Sequence, residues 1–234
     1  MQITAALLDL LFPPRCAFCG RLVDGGDGVC PACAQSLPWV GDESVLRQAG
    51  RYPCAVAFYY GGTVREGIHA LKFQGKSWRA GVFGRYIAQA AEEHLGGQFD
   101  AVTYVPVSWQ RNYRRGFDQA RLLADAAAGV WGLRAEPTLR KIRHTRAQST
   151  LASPDRRREN VKGAYAVPRP EAVAGRRFLL VDDVATTGST LAAAADALMA
   201  AGAGSVVCAA LAGGHPACNK QNGPAGGADE RGAP

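Results

Sequence analysis

The chain has 234 residues, a formal net charge of +7, 47% hydrophobic residues and 20% charged ones. That composition excludes a disordered or fibrous protein, and the length fits one α/β domain with a small appendage but not two enzymatic domains. No segment reaches the roughly 18 apolar residues of a membrane span, and the positive excess is local: residues 105–165 hold thirteen Lys and Arg against five Asp and Glu, which fits either a solvated basic face or an anion site.

The first fourteen residues, MQITAALLDLLFPP, lack a basic start, and Asp9 interrupts their apolar run. They read as a short amphipathic helix docking Leu7, Leu8, Leu11 and Phe12, and not as a signal peptide. Cys16-x2-Cys19 and Cys30-x2-Cys33 follow, the spacing of a four-cysteine zinc site. The intervening GRLVDGGDGV is too short and glycine-rich to build a core, so a metal must supply its stability. Four thiolates close the tetrahedron, which makes such a site structural; disulfides are the alternative, disfavoured in a chain without an export signal. The polar stretch at 41–50 marks a boundary. The expected organisation is therefore a zinc module over 1–40, a main domain over 51–212 and a disordered Gly-, Pro- and Ala-rich tail over 213–234.

Within the main domain, periodicity predicts strands at 55–60, 101–105, 138–142, 178–181 and 205–212. It predicts helices at 63–73, 79–95, 116–130 and 189–202, with a short one opened by Ser153-Pro154. Such alternation implies a mostly parallel sheet with helices on both faces. Cys54 and Cys208 read as small core residues.

The chemistry concentrates after FLLV (178–181). A strand with no polar residue on either face is buried and first meets solvent at its C-terminal end, where open α/β sheets bind ligands. There sit Asp182 and Asp183, then Val184 and Ala185, then Thr186, Thr187, Gly188, Ser189 and Thr190 opening an Ala-rich helix. The helix N-terminus favours a phosphate dianion, Gly188 permits a strained turn, and the hydroxyls can donate to phosphate oxygens. The adjacent carboxylates would repel a phosphate but accept bonds from vicinal sugar hydroxyls. A furanose carrying a 5-phosphate meets both demands, whereas a Ser/Thr cap alone leaves the acid pair unexplained. Neither a Walker loop nor the dinucleotide G-x-G-x-x-G is present.

VDDVATTGST resembles the phosphoribosyl pyrophosphate motif of type I phosphoribosyltransferases. With YGGTVREGIHALKFQGK (60–76), PVSWQRNYRRGFDQARLLA (106–124) and TRAQSTLASPDRRRENVKGAYAV (145–167), the chain is similar to the ComF family, whose members join that domain to an N-terminal zinc module. Asp118 departs from the Asn more usual there. The resemblance implies a type I phosphoribosyltransferase-like fold and a pyrophosphate loop at Pro106-Val107-Ser108-Trp109, with Val107 and Ser108 as its contacts and Arg111, Arg114 and Arg115 just after it. It implies a basic catalytic loop at 143–158 containing Arg146, Gln148 and Arg156, anchored by Asn160. Asp182 and Asp183 would orient the ribose and help hold Mg²⁺ through water. Lys72 is either a further phosphate contact or a snorkelling surface lysine, and the four histidines carry no assigned role.

Two functions follow from the resemblance. One is a cytoplasmic phosphoribosyltransferase-type protein that binds phosphoribosyl pyrophosphate or a related nucleotide and acts in competence or the use of imported DNA. The other is a non-catalytic adaptor that keeps the ribose-phosphate loop as a sensor and uses its zinc knuckles and arginines for single-stranded DNA or DNA-uptake proteins.

Overall fold

The computed structural model describes residues 13–24, 26–40, 47–107, 116–143 and 160–214. The expected N-terminal helix, the tail beyond Gly214, and Ser108, Arg111, Arg115, Arg146, Gln148 and Arg156 lie outside these residues.

A six-stranded sheet forms the centre, in the order β1-β2-β8-β7-β3-β4. Its strands are β1 (Arg47–Ala49), β2 (Tyr52–Tyr59), β3 (Ala101–Tyr104), β4 (Ala135–Glu136), β7 (Arg177–Ala185) and β8 (Ser205–Gly213). All neighbours run parallel except β1, an antiparallel edge strand on β2. The helices are α1 (Pro31–Ser36), α2 (Gly62–Phe73), α3 (Arg79–Leu95), α4 (Gln119–Val130) and α5 (Ser189–Ala200). Among the described residues no helix is long and apolar enough to cross a membrane.

β7 is buried on both faces, so its alternating side chains feed two cores. Leu179 and Val181 pack with α3, α4 and the cysteine knuckle, while Phe178 and Leu180 pack with Leu191, Ala194 and Leu198 of α5. Cys54 and Cys208 lie opposite each other on β2 and β8, fully buried in the second core, as expected of small core residues.

The segment predicted as a strand at 138–142 does not join the sheet. Its Arg140–Lys141 (β5) pairs antiparallel with Tyr165–Ala166 (β6) as a separate two-stranded ribbon. The helix predicted from 116 begins at Gln119, because the Asp118 side chain accepts the N–H groups of Ala120 and Arg121 at 3.0 and 3.2 Å and caps it there. β7 runs four residues past the apolar FLLV, since β8 continues beside it as far as Gly213 and supplies ladder partners to Asp182, Val184 and Ala185.

Candidate functional site

Asp182 and Asp183 thus sit inside the hydrogen-bonded strand, where consecutive side chains point to opposite faces. Asp183 is buried and held from two helices: Lys72 Nζ of α2 lies 2.8 Å from Oδ1, and Gln119 Nε2 at the start of α4 donates to Oδ2 at 3.2 Å. Lys72 is drawn into the site as the counter-charge of Asp183, which replaces the snorkelling alternative. Asp182 lies deep in the molecule yet keeps part of its surface open to a cavity. Burial, reinforced by the charge of Asp183, raises its carboxyl pKa to about 8.

Past Ala185 the chain turns over Thr186-Thr187-Gly188. Gly188 has φ 67° and ψ 0°, the left-handed conformation that only glycine adopts without strain, and it caps α5 with no side-chain bond. The Thr187 and Ser189 hydroxyls bond each other at 2.8 Å, Thr186 is exposed, and Thr187 and Thr190 are half-buried. The turn faces the same cavity as the acid pair, a space of about 520 Å³ lined also by Val105, Pro106 and Val107 beyond β3. Lys141 and Tyr165 of the ribbon and Val161 form another wall. Asp118 steadies the β3 side, because its Oδ2 accepts the Val107 N–H at 3.1 Å while Oδ1 caps α4. Burial pushes its carboxyl pKa up, against the pull of those same N–H groups.

The structure therefore gathers Val107, Asp182, Asp183, Ala185, Thr186, Thr187, Gly188, Ser189 and Thr190 around one cavity. Sequence reasoning missed Gln119, and no local signal marks it, since its partner is 64 residues away.

The second constellation is the cysteine knuckle. The sulfurs of Cys16, Cys19, Cys30 and Cys33 all lie within 4.8 Å of one another, and those of Cys19 and Cys30 are 3.7 Å apart. A tetrahedron with metal–sulfur bonds of about 2.3 Å spaces its sulfurs about 3.8 Å apart, so the donor set fits zinc. Burial of Cys16 opposes ionisation, yet backbone N–H groups of Cys30, Cys19 and Phe18 outweigh it and hold the pKa down to about 6. Behind the knuckle lies Arg79 of α3, only 6% exposed. Its Nη1 donates to the carbonyls of Ala17 and Phe18, the latter at 2.9 Å, while its Nε has no partner. No carboxylate pairs with Arg79 among the described residues; burial lowers its pKa, and the nearby sulfurs of Cys16 and Cys19 work against that cost by favouring its charged form.

The comparisons with known proteins agree with both halves. Residues 7–51 match the double zinc ribbon domain and residues 133–224 the phosphoribosyl transferase domain. The chain is 32% identical over 199 residues to the DNA utilization protein YhgH of Salmonella typhimurium, covering 82% of this chain and 86% of that protein. It is also 32% identical to Competence protein F of Haemophilus influenzae, over 76% of this chain and 75% of the relative. This chain belongs to the ComF family. The glutamine phosphoribosylpyrophosphate amidotransferase from B. subtilis, solved with ADP and GMP, aligns at 24% identity and a TM-score of 0.38, over 61% of this chain and 27% of that one. For this ComF protein, the fold is the parallel, helix-covered sheet of the phosphoribosyltransferase domain with an appended structural zinc site. The zinc-ribbon match contains a single set of four cysteines, Cys16, Cys19, Cys30 and Cys33.

Proposed function

We propose that this ComF protein binds a 5-phosphorylated ribose, as phosphoribosyl pyrophosphate or a related nucleotide, and serves in the use of imported DNA. The observation that carries the reading is the juxtaposition of the Thr186–Thr190 turn with the acid pair in one cavity at the C-terminal end of β7. In this reading the turn and the N-terminus of α5 receive the 5-phosphate. Asp182 and Asp183 accept the vicinal hydroxyls, with Lys72 and Gln119 fixing the orientation of Asp183. Val107 belongs to the pyrophosphate side, joined by Ser108, Arg111 and Arg115, and Arg146 stabilises developing charge. The names of the YhgH and Competence protein F relatives supply the DNA context.

Transfer would break the bond between the anomeric carbon and the pyrophosphate oxygen, which leaves with the electron pair. A base nitrogen would form the new bond and lose its proton to solvent, through an oxocarbenium-like state as in glycoside chemistry. Mg²⁺, when bound, would neutralise the diphosphate. Both oxygens of Asp183 are already engaged by Lys72 and Gln119, which suits contact with such an ion through water.

A second reading, a non-catalytic adaptor for single-stranded DNA, is supported by the positive excess of residues 105–165. Calorimetry with phosphoribosyl pyrophosphate, with and without Mg²⁺, on the zinc-loaded protein tests ligand binding. Saturable binding abolished by Asp183→Asn is expected, and no heat with either ligand form would defeat the proposal. Pyrophosphate release then separates transferase from adaptor. For the adaptor, DNA affinity should fall steeply with salt and vanish when Arg156, Arg157 and Arg158 are together changed to Ala.

A further inference from the structure

Any cation that reaches the acid pair must share it with Lys72. α2 is fixed against the domain by Ile68 and Leu71, both fully buried, and by the close approach of Gly67 to the Ala17 carbonyl. Lys72 follows Leu71 in the last turn of that helix, so its side chain starts from a fixed base. Its Nζ lies 2.8 Å from Asp183 Oδ1, and the two side chains are only 22% and 7% exposed. Charges so far out of water are weakly screened. The ammonium therefore acts on both acids: it pairs with Asp183 and also favours the charged form of Asp182.

The pair has few oxygens left for a metal. Asp183 gives Oδ1 to Lys72 and Oδ2 to the Gln119 amide at 3.2 Å, and Asp182 gives Oδ1 to the Asp183 N–H at 2.8 Å. Magnesium demands near-octahedral oxygen donors and sheds its waters reluctantly. To bind these carboxylates directly it would have to displace an ammonium that already supplies positive charge there. We propose that Lys72 is the resident cation of the acid pair, which keeps a divalent metal out of the ligand-free site and lets the carboxylates receive sugar hydroxyls without one. A ligand then brings metal only on its own diphosphate, toward the β3 side where Val107 lies. That last consequence rests on the ribose-phosphate reading; the exclusion of metal by Lys72 does not.

Mn²⁺, which stands in for Mg²⁺ and is followed by electron paramagnetic resonance, tests the exclusion on the zinc-loaded full chain. The unaltered protein should take up no Mn²⁺ whose binding depends on Asp183. Lys72→Met should bind Mn²⁺ at least roughly tenfold more tightly, because a unit charge about 4 Å from a dication weakens binding by more than that even in water. Adding Asp183→Asn to Lys72→Met should abolish the gain, and Lys72→Gln serves in its place if the Met variant does not fold. Mn²⁺ held by the unaltered chain and released by Asp183→Asn, or no gain in a folded Lys72 variant, would overturn the proposal. Ribose 5-phosphate, which carries no diphosphate, should bind the unaltered chain equally with and without Mg²⁺, and more tightly with Mg²⁺ in Lys72→Met. A Mg²⁺ requirement in the unaltered chain would also count against Lys72. If ribose 5-phosphate does not bind at all, the ribose-phosphate reading falls, and the Mn²⁺ titration still decides the role of Lys72.

Discussion

Asp182 and Asp183 are neighbours in sequence with opposite surroundings. Asp183 is neutralised by Lys72, whereas Asp182 meets burial and a like charge that raise its pKa to about 8. Between the ordinary carboxylate value of about 4 and that value, the folded chain keeps a proton that the unfolded chain has released. The stability linked to Asp182 is therefore complete below about pH 4 and is lost as the pH rises through about 8. Asp182→Asn lacks this dependence, so its melting temperature should gain several degrees on the unaltered protein between pH 5 and pH 9; parallel melting curves at the two pH values would contradict the assignment. The turn and the acid pair were legible in the sequence because their signals are adjacent: an apolar run, two carboxylates and a cluster of hydroxyls. The ion pair was not, because Lys72 and Asp183 are 111 residues apart and only the fold brings them together.

At the scale of elements, glycines show which helix faces touch something. Gly81 and Gly84 both lie in α3, but a Cβ on Gly81 would meet nothing within 4 Å. On Gly84 it would overlap the Cβ of Ala126 and approach Ala127 N at 2.8 Å and Leu123 O at 2.9 Å, at the crossing with α4. Gly81→Ala should therefore stabilise by about 0.5–1 kcal/mol through helix propensity alone. Gly84→Ala should destabilise by about 1–3 kcal/mol through overpacking, and urea unfolding of the two variants would show the opposite signs. α3 was readable from 79 to 95 because its apolar period is strong and Gly96, in the left-handed conformation, ends it. The 138–142 segment misled because its residues suit an extended chain without revealing which partner it finds. That partner, β6, lies beyond a long intervening stretch, and pairing there is a property of the fold and not of the local pattern.

At the scale of the whole molecule, the zinc knuckle is built into the domain and does not merely hang from it. Phe18 packs on Phe58, Phe83 and Tyr86, and Gly67 lets α2 come close, since a Cβ there would lie 3.2 Å from the Ala17 carbonyl. Arg79 adds an electrostatic tie, a buried cation beside an anionic cluster. Arg79→Met should weaken zinc binding roughly 10–100-fold, the usual cost of losing an outer-shell partner, as measured by competition with a chelator. A mutant that loses stability equally with and without metal, at unchanged zinc affinity, would reduce Arg79 to packing. The helix touched by the knuckle on one side offers Lys72 to the acid pair on the other. Because α2 touches both, a ligand in the cavity should raise the affinity for the metal by the same free energy with which the metal tightens the ligand. Chelation would then weaken binding in a cavity that contains none of the chelated ligand atoms.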